Sequence, residues 1–149
     1  PDNPTLPGIV ENEAYCLTLA GLIGITAVDC IIVQAGDRTA LAVARYDRRA
    51  RSGGTVRRLH QEDFAQANGI YPGQKYEQGT VPGLDLNTLL NTGNNLPPAE
   101  ALKLLDQVIF NILVANADAH AKNYSMIFSN GPTEPMIETI AIEEGLTYP

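Results

Sequence analysis

The sequence predicts an α+β fold in which a helix and a β-hairpin precede a mostly helical portion. Three observations predict it. A stretch near the N-terminus repeats apolar residues at helical spacing, two short β-prone runs flank a tight turn, and a long apolar helix pattern feeds a polar loop and another β-prone run. A chain of 149 residues is one domain's worth and can bury a core.

The elements follow in order. Glu11 to Ile23 reads as a helix with Tyr15, Leu19 and Leu22 on one stripe and Gly24 at its end. Cys30–Val33 and Thr39–Val43 read as strands, and Ala35-Gly36-Asp37-Arg38 joins them as a hairpin. Ser52-Gly53-Gly54 is a turn, Gln61 to Ala67 a short helix ended near Gly69, and Tyr71 to Gly83 a Gly/Pro-rich loop. Leu84 to Leu90 is a short helix. From Pro98 to Val114 a longer helix carries Leu102, Leu105, Ile109 and Ile112 at helical steps, widened by Leu104, Val108 and Phe110, with Pro98 suited to its first turn. Tyr124–Phe128 is β-prone and closes on the turn cluster Ser129-Asn130-Gly131-Pro132.

Composition narrows the function classes. The net charge of −7 argues against nucleic-acid binding through the whole surface. No apolar run approaches the roughly 18 residues that span a membrane, and no basic-then-apolar signal segment opens the chain. Cys16 and Cys30 are the only cysteines, lack a CxxC or zinc-like spacing and sit in apolar surroundings, so buried free thiols in a reducing cytoplasm are expected. All seven arginines lie between Arg38 and Arg58, with Asp47 as the one acid among them. Such a run is either a solvated hairpin and loop or a basic patch beside a binding site.

The run Asn116-Ala117-Asp118-Ala119-His120-Ala121-Lys122-Asn123 carries the chemistry. Asp118 precedes Asn123 by five positions, the spacing of a kinase catalytic loop, in which the Asp takes the proton of the attacking hydroxyl and the Asn holds Mg²⁺. Four intervening residues let the chain bend so that both oxygens face one nucleotide. Asp and Asn are also ordinary residues of a helix-to-strand loop, so the spacing gains weight from its flanks. Helix, loop, strand is the order of a protein-kinase large lobe. Loops of similar pattern occur in the aminoglycoside and choline kinases and in phosphoinositide kinases.

A more specific resemblance runs from about Val10 to Phe128. Glu11-Asn12-Glu13-Ala14-Tyr15-Cys16-Leu17, Ala40 through Arg48, Arg58-Leu59-His60-Gln61-Glu62-Asp63-Phe64, Lys75-Tyr76-Glu77 and Asn116 through Ser125 resemble, in this order and spacing, the HipA family of bacterial toxin Ser/Thr protein kinases. The resemblance implies a protein-kinase-like two-lobed fold. Residues 1–46 would be a partial small lobe and hinge, and residues 47–149 a partial large lobe with the catalytic loop. It implies ATP and Mg²⁺ as cofactors, with Asp118 as catalytic base and Asn123 as metal ligand and ATP contact. It also places Ala44, Arg45 and Tyr46 at the hinge, whose backbone groups read the adenine edge. Glu13 would be the helix carboxylate that pairs with a nucleotide-binding lysine, against the plainer reading of an exposed helix glutamate. His120 would hold the loop or approach phosphate, Lys122 would neutralise phosphate charge or face water, and His60 would cap or pack near the helix at Gln61.

The resemblance further implies a protein substrate of the translation machinery, a DNA-binding antitoxin partner with DNA reached only indirectly, no membrane, and a cytoplasmic bacterial setting. The arginine run could then face the nucleotide, the protein substrate or operator DNA. Departures from the family pattern set an expectation of their own. No lysine precedes Lys75, no Gly-rich phosphate loop precedes Glu11, and no aspartate follows Asp118. Glu138, Glu143 and Glu144 are the acids with the reach of a second metal ligand, and the resemblance stops after Met136. The expectation is a piece of a longer kinase, inactive alone. The alternatives are a small-molecule kinase of the aminoglycoside or choline type and a non-catalytic, pseudokinase-like partner-binding module.

Overall fold

A computed structural model describes residues 7–25, 28–74, 76–78, 82–128 and 135–136. Lys75, the turn cluster at 129–132, and Glu138, Glu143 and Glu144 lie outside the described residues. Helix α1 spans Ile9–Leu22 and packs on an antiparallel hairpin of β1 (Cys30–Ala35) and β2 (Arg38–Val43). The hairpin register, Cys30 opposite Val43 through Ala35 opposite Arg38, is set by the two-residue turn Gly36-Asp37, with Gly36 at φ +67. Gly24 ends α1 at φ +83, where its N–H donates to the Gly21 carbonyl.

The arginine run is not a simple loop. Arg48–Ala50 (β3) and Val56–Arg58 (β4) pair as a second antiparallel ribbon around the Ser52-Gly53-Gly54 turn. Charged runs without apolar alternation gave no strand signal here. The expected helix at Gln61–Ala67 is also corrected. His60–Asp63 is a strand, β5, and only Phe64–Ala67 is helical, α2. Asp63 explains the boundary: its carboxylate accepts from the Gln66 N–H at 2.7 Å while the Gln66 side chain accepts from the Asp63 N–H at 2.9 Å, a capping box that starts the helix there. His60 is therefore no helix cap. It sits opposite Phe128 with ring centroids 5.4 Å apart.

Strand β6 (Ser125–Phe128) pairs antiparallel with β5 on one side and with β7 (Pro135–Met136) on the other. Helix α3 covers Leu86–Gly93, capped by Asp85, whose carboxylate accepts from Thr88 N–H and is held below the usual carboxylate range by its hydrogen bonds to Thr88. Helix α4 covers Pro98–Leu113, with Pro98 at its first position as expected.

Leu17, Ala20, Phe64, Leu89, Leu104, Val108, Phe110, Tyr124 and Met126 belong to one apolar core. The stripes read from sequence match it only in part. On α1, Leu19 packs on the core but Tyr15 and Leu22 are exposed, and Val10, Cys16, Leu17 and Ala20 are the buried set. On α4, Leu102, Leu105, Ile109 and Ile112 face outward, while the buried face mixes Leu104, Val108 and Phe110 with Glu100, Gln107 and Asn111. Among the described residues no helix is long and apolar enough to cross a membrane.

Candidate active site

Helix α4 ends by delivering polar groups to the loop that follows it. Val114 caps the helix, and Ala115 then turns at φ 54, a left-handed conformation that L-residues other than Asn and Asp rarely adopt. The Asn116 N–H donates back to the Asn111 carbonyl at 2.9 Å. Asn111 is buried near the end of α4 and works in both directions. Its Nδ2 donates to the Tyr124 hydroxyl at 2.9 Å, and its Oδ1 accepts from Asn116 Nδ2 at 3.0 Å.

Asn116 passes the constraint on, because its Oδ1 accepts from the Asp118 N–H at 3.1 Å. The loop then closes. Asn123 Nδ2 donates to the Asp118 carbonyl at 2.8 Å, and the His120 N–H donates to the same oxygen at 2.9 Å. Ala121–Asn123 form a 3₁₀ turn that brings Asn123 round, with the Asn123 N–H bonded to the His120 carbonyl at 2.9 Å. The five-position spacing thus has a physical cause: the Asn side chain spans the loop and fixes it to the Asp backbone.

His120 Nε2 lies 4.0 Å from Asp118 Oδ1, and both side chains are largely shielded. The His120 ring meets Tyr76 edge-on, with centroids 5.4 Å apart and planes at 77°. Burial pushes the Tyr124 phenol up, and the bond from Asn111 opposes this without cancelling it. Tyr124 therefore stays a neutral acceptor at the base of the loop. A cavity of about 380 Å³ opens beside the loop, with Ala117, His120 and Tyr124 on one wall and Tyr76, Asp85 and Leu89 on another. Lys122 is half-buried in the 3₁₀ turn.

Ala44, Arg45 and Tyr46, expected at a hinge, follow β2 directly. The Ala44 N–H donates to the Asp29 carbonyl at 2.8 Å, and the Tyr46 carbonyl accepts from Arg49 at 3.0 Å. Beside them is a residue the sequence did not single out as functional. Asp47 is 1% exposed, and both its oxygens accept from Arg45, each at 3.0 Å. Arg48 also bonds its carboxylate, and Arg58 lies 3.7 Å away. The hydrogen bond from Arg45, with the charges of Arg45 and Arg48, holds the Asp47 carboxyl below the usual range against the opposing effect of burial. Its isolation among arginines was the available signal. Asn111 and Tyr124 were missed too; an amide in an otherwise apolar helix was their sign.

Glu13 lies on α1, away from the loop in sequence and on the helix that packs against β1 and β2. Its charge, after burial, raises the thiol of Cys16 and that of Cys30. Both cysteines are free thiols, Cys16 buried and Cys30 half-buried. The described residues hold no group of three or more His, Cys, Asp or Glu that could bind a metal ion.

The model of the HipA-like C-terminal domain family matches residues 1–136. The chain belongs to this family. Relatives named as kinases extend the point. Y4mE of Sinorhizobium fredii strain NGR234, whose name places it among kinases, is 40% identical over 141 residues, covering 91% of this chain and 34% of its own length. The Serine/threonine-protein kinase toxin HipA of Shewanella oneidensis MR-1 is 34% identical over 139 residues, 85% of this chain and 32% of the toxin. A solved complex of the Shewanella HipA with HipB and its operator DNA superposes with a TM-score of 0.76 at 34% identity, over 88% of this chain and 34% of that one. The fold is thus mixed helix and strand of the HipA type. The chain spans about a third of the length of these HipA-family relatives.

Proposed function

We propose that this chain is the hinge and catalytic-loop part of an ATP-dependent Ser/Thr protein kinase of the HipA toxin type. The observation that carries the reading is the closed loop: Asn123 Nδ2 bonded to the Asp118 carbonyl at 2.8 Å, in a chain similar to a HipA kinase over most of its length. In this reading residues 1–46 belong to the small lobe and 47–149 to the large lobe of a two-lobed fold. Asp118 would accept the proton of a protein hydroxyl as its oxygen bonds to the γ-phosphorus, while the bond from that phosphorus to the departing ADP oxygen breaks.

The donor set fits Mg²⁺-ATP in part. Asn123 offers a hard amide oxygen on a rigid turn, which suits Mg²⁺ as one ligand among several. The Ala44 carbonyl and Tyr46 N–H are the hinge pair that would read adenine. His120 keeps the loop in shape against Tyr76 and Asp118, and Lys122 would counter phosphate charge. Glu13 would pair with a phosphate-binding lysine supplied from elsewhere in a longer protein. Bound Mg²⁺-ATP supplies the phosphoryl group and the charge that stabilises its transfer; this chain contributes the base and its orientation.

The Shewanella relative is solved with HipB and operator DNA. By similarity, the partner here is a DNA-binding antitoxin through which the kinase reaches DNA, the substrate is a protein of the translation machinery, and the setting is the bacterial cytoplasm. Phosphate transfer by the full-length protein tests the reading. Asp118→Asn should lower the rate by several orders of magnitude with ATP affinity nearly intact, and Asn123→Ala should raise the Mg²⁺ concentration needed for activity. Equal transfer by wild type and Asp118→Asn would rule out Asp118 as the base, and no transfer by either would favour a non-catalytic, partner-binding module.

A further inference from the structure

Ala44 to Asp47 connect β2 to β3 and belong to neither ribbon. Backbone outside a ladder keeps its direction only where other bonds hold it. The Ala44 N–H donates to the Asp29 carbonyl at 2.8 Å, the Arg48 N–H donates to the Arg45 carbonyl at 3.3 Å, and Arg49 Nη1 donates to the Tyr46 carbonyl at 3.0 Å. A further tie runs through side chains alone. Arg45 Nε and Nη2 each donate to one oxygen of Asp47 at 3.0 Å, so the pair spans Tyr46 and joins the residue before it to the residue after it.

This tie does more than neutralise a buried charge. Arg48 bonds the Asp47 carboxylate and Arg58 lies 3.7 Å from it, so cations from β3 and β4 already face the one anion. Arg45 is the third. Its guanidinium is mostly exposed, and an ion pair to an exposed partner there would be worth little. Asp47 is instead buried, and the Leu59 N–H donates to its carbonyl at 2.9 Å. The carboxylate is therefore an anchor held from β3, β4 and the residue before β5, and the two-pronged bond from Arg45 fixes the connecting segment to that anchor.

We infer that Asp47 is a positioning residue for the nucleotide base: by gripping Arg45 through both oxygens it sets the direction in which the Ala44 carbonyl and the Tyr46 N–H point. The inference rests on the kinase reading, in which those two groups meet the adenine edge. Adenine carries an amino donor where guanine carries a carbonyl acceptor. A backbone carbonyl held in place accepts from the first and meets the second oxygen to oxygen, whereas a carbonyl that can swing away loses the preference. In this role Asp47 acts through Arg45 and touches neither base nor phosphate. Its effect falls on the choice of base, and the grip on the phosphates is left to other groups.

Competition binding against a fluorescent nucleotide gives the affinities of the full-length protein for Mg²⁺-ATP and Mg²⁺-GTP. The main variant is Arg45→Ala, which removes a mostly exposed guanidinium and leaves Arg48 and Arg58 with the carboxylate. It should weaken ATP about tenfold and leave GTP within about twofold, so the ATP-over-GTP ratio narrows about tenfold. Arg45→Lys should recover only part of the ratio, because an ammonium cannot span both oxygens as the planar fork does. Arg58→Ala takes a cation from the same carboxylate without touching the segment, and its ratio should match wild type. Asp47→Asn should narrow the ratio as Arg45→Ala does; if it fails to fold, Arg45→Ala decides alone. A ratio unchanged in Arg45→Ala would overturn the inference and leave the kinase reading standing. Equal narrowing in Arg58→Ala would do the same, reducing Asp47 to general stability. A wild-type protein that binds neither nucleotide would sink the kinase reading itself, and this inference with it.

Discussion

The Asp118–Asn123 loop and the arginine ribbon solve the same problem, holding a short polar segment still, by opposite means. The loop is pinned by neutral amides and a phenol: Tyr124 to Asn111, Asn111 to Asn116, Asn116 to Asp118, Asp118 to Asn123. The ribbon and the segment before it are pinned by one buried carboxylate that three guanidiniums share. The bonds that hold the loop use the backbone of Asp118 and leave its carboxylate out. Ionic bonds fix the ribbon but tie it to solution conditions. A site that must present a reactive carboxylate is better framed by groups that do not compete for charge.

The comparison breaks most visibly at Asp47. Asp47→Ala should cost about 3 kcal/mol, because several charge-assisted hydrogen bonds vanish at once, while the exposed arginines left behind recover hydration. The pH behaviour follows from the lowered carboxyl. Its stabilisation is full above the ordinary carboxylate value and is lost as pH falls through the lower folded value, so wild-type stability should decline in that acid window. Asp47→Asn should lack that decline. Chemical denaturation across pH 3 to 7 measures both, in the usual carboxylate range (about 3.9 for Asp). An identical acid limb in Asp47→Asn would show that the ionic clamp contributes nothing.

On the neutral side, Asn111→Ala should cost about 2 kcal/mol, since it strands the buried Tyr124 hydroxyl and frees Asn116. Tyr124→Phe removes one of those bonds and should cost about 1 kcal/mol. Unlike Asp47→Ala, neither loss should change with pH between about 4 and 8, since amides do not titrate and the raised phenol stays neutral there. A pH-dependent loss in Asn111→Ala would erase the distinction between the two regions.

Sequence showed these regions unequally. The Asp118–Asn123 spacing is local, so a one-dimensional reading could find it, and the hairpin around Gly36-Asp37 announced itself by turn chemistry and β-branched flanks. The helix starts were legible where a cap was distinctive, as with Pro98, and misplaced where a capping box lay inside a run that also pairs as a strand, as with Asp63. The Asp47 clamp needed the ribbon pairing that brings Arg58 back beside Arg48, which no periodicity reports. The α4 stripe misled for another reason. Apolar spacing marks a face that water avoids, yet here the buried face mixes Leu104, Val108 and Phe110 with polar Glu100, Gln107 and Asn111, while Leu102 and Ile112 are exposed. The family resemblance was legible and the family match bears it out. The roles of individual site residues rest on the proposed function.

Ala115 has a consequence for how this sequence can drift. With φ at 54 between α4 and the loop, it is filtered by backbone geometry rather than by anything its methyl touches. A saturation library should therefore treat it as a glycine in disguise: Gly and Asn enriched, Val, Ile and Thr purged, with little regard for polarity or size otherwise. Such a profile, read from a selection for folded protein, would locate the entrance of the loop with no structure in hand.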